Sequence, residues 1–242
     1  MSQTSSDETG ARLSPGQYGH PRRRLIEELR GKRVVLGPRQ IIAHEGDDTL
    51  NIHLLRGGWA FRFKSLEDGR RQILGFLMPG DLIGVFEPGA PMYPYGVETL
   101  NEVDLLTLPR QRLLDSAQQD ASFALDLLWL AANERRQSEE GLLSVGRRSA
   151  DERMAALILH VYARAVERDL ADASGTVPFP VSQQHIADAL GLSLVHTNKT
   201  LRRLLALGVY ELSSGRLRVL DAAALGDIGL HREMAVSGRP MF

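Results

Sequence analysis

Residues 181–208 read VSQQHIADALGLSLVHTNKTLRRLLALG, and no other stretch constrains the fold of the chain so tightly. Ser182 is a good helix N-cap, because its hydroxyl can accept from an N–H that the first turn leaves unpaired. Ile186 and Leu190 then share a face. Gly191 stands where a helix must end in a left-handed turn, a conformation glycine reaches without a Cβ clash. Ser193 caps a second helix with almost no linker between. Leu194, Thr197, Leu201, Leu204 and Leu205 fall on one face of that helix by spacing. Two short helices joined by a glycine-containing turn form a helix-turn-helix. Val209 to Leu212, Ser213-Ser214-Gly215-Arg216 and Leu217 to Leu220 then read as a tight β-hairpin, which makes the order that of a winged helix-turn-helix.

The other side of the second helix carries His196, Lys199, Arg202 and Arg203, with Val195 and Asn198 beside them. A helix entering the major groove needs donors for base edges in its N-terminal part and cations for phosphates further along. Lysine can donate to guanine O6 and N7, and asparagine can pair with adenine N6 and N7. Lys199, His196 and Asn198 are therefore expected at bases, and Arg202, Arg203 and Ser182 at phosphates. The alternative is a solvated charged face on an ordinary amphipathic helix. The formal net charge is -1, so any nucleic-acid surface has to be local.

Upstream the pattern differs. The first 20 or so residues are polar with few apolar anchors, and are expected to be disordered. Arg22 to Arg24 precede a short helical patch at Leu25, Ile26 and Leu29. From Val34 to Leu108 short apolar runs alternate with turn signals, as in an antiparallel sandwich or roll. Trp59, Phe61 and Phe63 alternate with Ala60, Arg62 and Lys64, which predicts a half-buried strand. Glu67-Asp68-Gly69-Arg70 is a turn, Arg71 to Met78 the returning strand, and Val103 to Leu108 a further strand. Glu87 to Gly96 is proline-rich and predicts a loop. Beyond Pro109 the chain turns helical. Leu125, Leu128 and Ala132, then Leu142, Leu143 and Val145, predict one long helix with an imperfect seam, against the alternative of two helices packed on the body. Ser149-Ala150-Asp151-Glu152 is a capping box, followed by one apolar face at Met154, Leu157, Ile158, Val161 and Ala165.

With no cysteine in 242 residues, disulfides and Cys-ligated zinc or iron–sulfur centres are excluded. The start, MSQTSSDETGARLSPGQYGHPRRR, is not expected to be a secretory signal, and no membrane span is expected because no run of about 18 apolar residues occurs. The seven histidines form no H-x-H or H-E-x-x-H pair. His44 and His53 could meet across strands, although structural histidines are the plainer reading. No phosphate-binding G-x-x-x-x-G-K-[ST] and no G-x-S-x-G occur. No metal and no cofactor are expected. A lone haem-ligating histidine leaves no pattern, so haem or another small effector stays open.

The order His44-Glu45-Gly46-Asp47, Leu54-Leu55-Arg56-Gly57-Gly58, Asp68-Gly69-Arg70-Arg71-Gln72-Ile73-Leu74 and Pro79-Gly80-Asp81-Leu82-Ile83-Gly84, followed by a long helix and a winged helix-turn-helix, resembles the Crp/Fnr family of transcription regulators from about Ile41 to Leu220. The resemblance implies an α+β fold. An antiparallel β-roll of the cyclic-nucleotide-binding type would span 22–118 after a disordered 1–21. A dimerisation helix would follow at 119–147, and a winged helix-turn-helix domain at 148–242. It further implies a cytoplasmic, non-enzymatic homodimer reading a palindromic site on double-stranded DNA, with RNA polymerase as a further partner and no membrane association. Cyclic-nucleotide binders of the family place a glutamate after the roll glycine and an Arg-Ser pair at the cyclic phosphate. Here Val85 follows Gly84, and the phosphate region reads Met92-Tyr93-Pro94-Tyr95. A buried phosphate without a cation is costly, so no cyclic-nucleotide response is expected. The family's recognition helix often carries glutamate and arginine where this chain has Val195 and Lys199. The competing readings are a ligand-binding or scaffolding β-roll protein whose helical tail makes protein contacts, and a β-roll enzyme.

Overall fold

A computed structural model describes residues 31–84 and 92–230. The expectations for residues 1–21, for Arg22 to Leu29, for Val85 and for part of the proline-rich loop lie outside the described residues. Eight strands come first: β1 (Lys32–Leu36), β2 (Ile41–Ala43), β3 (Asn51–Gly57), β4 (Ala60–Ser65), β5 (Arg71–Leu77), β6 (Leu82–Ile83), β7 (Gly96–Thr99) and β8 (Val103–Pro109). They pair antiparallel in two sheets, ordered β1-β8-β3-β6 and β2-β7-β4-β5. Helices α1 (Arg110–Gln119), α2 (Ala121–Arg147) and α3 (Ala150–Glu167) follow. After β9 (Val177–Pro178) come α4 (Gln183–Leu190), α5 (Leu194–Ala206), β10 (Tyr210–Ser213), β11 (Arg216–Val219) and α6 (Ala222–Ile228), with β10-β11-β9 in a third sheet.

The roll interior holds Leu55, Ala60, Leu77, Ile83, Tyr93, Val97, Val103 and Leu105. The opposite face of β3 and β8, with Ile52, Leu54, Leu106 and Leu108, packs on Leu113 of α1 and Phe123 of α2. The two helices nearly abut. Asp120 ends α1 and caps α2, its carboxylate accepting from the N–H groups of Ser122 (2.8 Å) and Phe123 (3.3 Å). The long helix is thus one piece from Ala121 to Arg147.

Strand β4 corrects one expectation. The alternation predicted a strand with one wet face, yet Trp59 and Phe61 on one side and Ala60 and Arg62 on the other are all buried. The cause lies beyond the strand. Trp59, Phe61, Ile73, Phe76 and Met78 form a single core with Met154, Ile158 and Val161 of α3, Phe179 just after β9, Ile186 and Leu190 of α4, and Leu201 and Leu204 of α5. Both faces of the β4–β5 hairpin are covered, one by the roll interior and one by the C-terminal helices.

An ion cluster closes that junction. Asp81, in the turn after β5, accepts from the Met78 N–H (2.9 Å), from Arg164 of α3 (2.8 Å) and from Arg168 just beyond α3 (2.6 Å). Arg164 also donates to the Phe76 carbonyl (2.9 Å) and Arg168 to the Pro79 carbonyl (3.1 Å). Burial opposes the Asp81 charge, but the two guanidiniums hold its pKa down at about 2. His53 does not meet His44. Its Nδ1 lies 2.8 Å from Thr107 Oγ1, and burial pushes its pKa down to about 4. His44 stands at an exposed turn, where its backbone N–H donates to Asp47 (2.7 Å).

Asp81→Ala leaves two arginines facing a largely buried, uncompensated site, and chemical denaturation should read a loss of about 3–5 kcal/mol. His53 is neutral in the fold and titrates nearer 6.5 when unfolded. The unfolded state therefore binds the extra proton first, and stability should fall as pH drops from 6.5 to about 4. In His53→Gln that slope should flatten in urea titrations across the window.

Candidate nucleic-acid interface

Helix α4 opens with a reciprocal cap. Ser182 Oγ accepts from the His185 N–H (3.2 Å), and His185 Nδ1 accepts from the Ser182 N–H (3.2 Å). The second bond needs a neutral imidazole. Burial first, and then the Arg71 charge, lower the His185 pKa, in the direction that favours this form. The helix ends at Gly191 in the left-handed region (φ 64°, ψ 37°). Ser193 then caps α5 by accepting from the His196 N–H (3.2 Å). The predicted caps and turn are all where the sequence put them.

Helix α5 buries Thr197, Thr200, Leu201 and Leu204 against α3 and α4. The predicted apolar face was wider: Leu194 and Leu205 are 43% and 45% exposed. They flank the contact arc, where the neighbouring helices no longer reach. Thr200, which the pattern passed over, is wholly buried in their place. Val195, His196, Lys199, Arg202 and Arg203 are exposed, and Asn198 is half-buried. By helical spacing Val195, Asn198, Lys199 and Arg202 make one solvent-facing stripe, with His196 and Arg203 on its flank. Lys199 and Arg202 have no acidic partner within the described chain, so their charge is open to an external anion. Arg203 differs. Its guanidinium pairs with Asp151 at the start of α3, a contact between residues far apart in sequence. Both groups are partly exposed, so the pair is worth only about 0–1 kcal/mol. Ser182 is exposed, and its hydroxyl proton stays available while its oxygen caps α4.

The hairpin β10–β11 pairs Tyr210 with Val219 and Ser213 with Arg216. Ser214 (φ 50°) and Gly215 (φ 72°) both have positive φ, as a two-residue type I′ turn requires. Tyr210 anchors this wing by donating to the Leu201 carbonyl (3.0 Å), and burial raises its pKa to about 12. The wing adds two cations that sequence reasoning missed. Arg216 pairs with Asp172, and Arg218 is exposed with no bonded partner among the described residues. The alternation Arg216-Leu217-Arg218, with Leu217 buried, was the available signal.

The reader is fixed to the roll through α4. Gln72 donates to the Ala189 carbonyl (2.8 Å), and Arg71 bridges Glu98 (2.8 Å) and Asp188 (3.2 Å). On the far side of β4, Arg62 points to the long helix and reaches Glu134 (3.2 Å) and the Tyr95 hydroxyl (3.3 Å). Burial opposes the Arg62 charge, yet Tyr95 and Glu134 outweigh it and raise the guanidinium pKa. No group of three His, Asp or Glu side chains able to hold a metal exists among the described residues.

A β-roll joined by a long helix to a winged helix-turn-helix defines a DNA-binding transcription regulator. Residues 33–120 match the family model for a cyclic nucleotide-binding domain, and residues 152–228 that for a Crp-like helix-turn-helix domain. The nitrogen fixation regulation protein FixK of Bradyrhizobium diazoefficiens is 32% identical over 200 residues, covering 83% of this chain and 82% of the relative. The transcriptional activatory protein AadR of Rhodopseudomonas palustris is 30% identical over 206 residues, covering 85% and 84%. Among solved structures, FixK2 from Bradyrhizobium japonicum superposes with a TM-score of 0.72 at 25% identity, over 82% of this chain and 97% of that one. The chain belongs to the Crp/Fnr family of transcription regulators.

A Cβ at Gly191 would meet only Val145 Cγ1 at 3.8 Å and Gln72 Oε1 at 4.0 Å, so there is room for one. Gly191→Ala should therefore cost only the backbone strain, about 1–2 kcal/mol, read as a lowered melting temperature with the fold retained.

Proposed function

We propose that the protein is a homodimeric regulator that inserts α5 of each subunit into successive major grooves of a palindromic site. The observation that carries this is the stripe Val195, Asn198, Lys199 and Arg202, held outward by a buried opposite face and capped at its N-terminus by Ser193. Lys199, His196 and Asn198 address base edges. Arg202, Ser182 and, after exchange from Asp151, Arg203 address phosphates, with Arg218 of the wing as a further phosphate contact. The division 22–118, 119–147 and 148–242 into roll, dimer helix and reader is part of this reading.

The dimer reading is supported by the exposed side of α2. Leu125, Leu128, Ala132, Arg135, Glu139 and Leu142 recur at alternating spacings of three and four and are all exposed. That is the 3.5-residue period of a coiled-coil seam, apolar at its ends and polar in the middle. A two-fold axis along it would set the recognition helices roughly one DNA turn apart. RNA polymerase as a further partner, a cytoplasmic setting and the lack of a catalysed reaction come with the family reading. No helix among the described residues is long and apolar enough to cross a membrane.

Control by a cyclic nucleotide is not part of the proposal. Arg62, the buried cation of the roll, is already engaged by Glu134 and Tyr95, and no cation occurs in Met92-Tyr93-Pro94-Tyr95. Adding cyclic AMP or cyclic GMP should leave DNA affinity unchanged.

Fluorescence anisotropy against a pool of random duplexes at two salt concentrations, with sequencing of the bound fraction, tests the reading. Enrichment of a palindrome is expected, and binding without any enriched sequence overturns it. On the selected site Lys199→Ala should cost about 1–3 kcal/mol and relax preference at one position. Arg202→Ala should weaken all duplexes alike and reduce the salt slope by about 1 per subunit. Arg203→Ala should have a smaller effect, because its charge is already compensated by Asp151.

A further inference from the structure

Val195 is 80% exposed in the first turn of α5, three residues before Asn198 and four before Lys199. Single exposed valines are ordinary on protein surfaces, but this one shares a stripe with the two polar side chains aimed outward. Its turn is fixed by the Ser193 cap. Valine in a helix holds essentially one rotamer, so two methyl groups stand at a set place with little freedom to lose on contact. Valine is also a poor helix former, so helix stability does not explain its presence here. Leu194, itself 43% exposed, extends the apolar spot at its side.

Beside its donors and acceptors, the major groove of unmodified DNA offers one methyl group, the 5-methyl of thymine. A glutamate at this position would accept from cytosine. A valine can neither accept nor donate, and it would leave any polar edge it covered unpaired. We infer that Val195 reads the 5-methyl group of one thymine in each half-site, close to the base pair addressed by Lys199. The inference rests on the reading of α5 as the major-groove helix. Along the helix axis the two side chains are about 6 Å apart, roughly two base steps. Specificity at that position is therefore a matter of apolar contact, flanked by hydrogen-bond readout.

The test removes the methyl and nothing else. In the duplex selected by the full-length protein, each thymine in turn is replaced by deoxyuridine, which keeps every hydrogen-bonding group. Affinities are measured by anisotropy for the wild type and for Val195→Ala. The wild type should show one symmetry-related thymine whose replacement weakens binding about fourfold per half-site, the size of one buried methyl. Val195→Ala should bind the thymine duplex more weakly by a similar factor and be indifferent to uracil there. Its melting temperature should be unchanged, since the side chain is exposed. Specific binding with no sensitive thymine, or an equal uracil effect in both proteins, overturns the inference and leaves α5 as the reader. Failure to select any site at all overturns the underlying reading, and this inference with it.

Discussion

Two guanidiniums on one carboxylate hold this molecule in its shape. Asp81 sits at the end of the β4–β5 hairpin, and Arg164 and Arg168 come from the helix that begins the DNA-binding half. Neither arginine stops at the carboxylate, since each also donates to a carbonyl of the strand or turn. The cluster therefore fixes both the distance and the rotation of α3 on the roll. Everything downstream inherits that placement: α4 packs on α3 and β5, and α5 packs on α3 and α4.

The apolar side of the same junction is the core that runs from Trp59 and Phe61 to Leu201 and Leu204 without a break. Such a core resists sliding, because close-packed side chains have no continuous set of neighbouring arrangements. The polar contacts at its rim, Gln72 on Ala189 and Arg71 between Glu98 and Asp188, add direction to what packing makes rigid. The sheet surface of the roll thus serves as the platform on which the recognition helix is aimed.

What could be read from the sequence was local. Ser149 with Glu152, Ser182, Gly191, Ser193 and the Ser214-Gly215 turn each depend on a few neighbouring residues, and the structure has every one of them in place. The family resemblance was likewise carried by turn glycines and the order of segments. Contacts between distant segments were not legible. Nothing near Arg203 announces Asp151, and nothing near Arg62 announces Glu134. The two-sided burial of β4 was missed for the same reason, since period two reports alternation and not what lies over each face. On α5, spacing marked Leu194 and Leu205 as core, but the width of the buried arc depends on how far α3 and α4 extend. The wing arginines escaped notice because a four-residue strand gives too short a pattern to single them out.

The shared core also bears on how such a chain can change over evolutionary time. Cutting the reader away from the roll would strip the cover from Met154, Ile158, Phe179 and Ile186 and leave a sticky, poorly soluble fragment. A lineage that lost its need for a roll-bound effector could not shed the roll by truncation. It could only rewrite the interior, one buried side chain at a time, while the outer surface stayed in service. The Arg62–Glu134–Tyr95 network, which ties the interior face of β4 to the long helix, is the kind of contact such rewriting would have to keep.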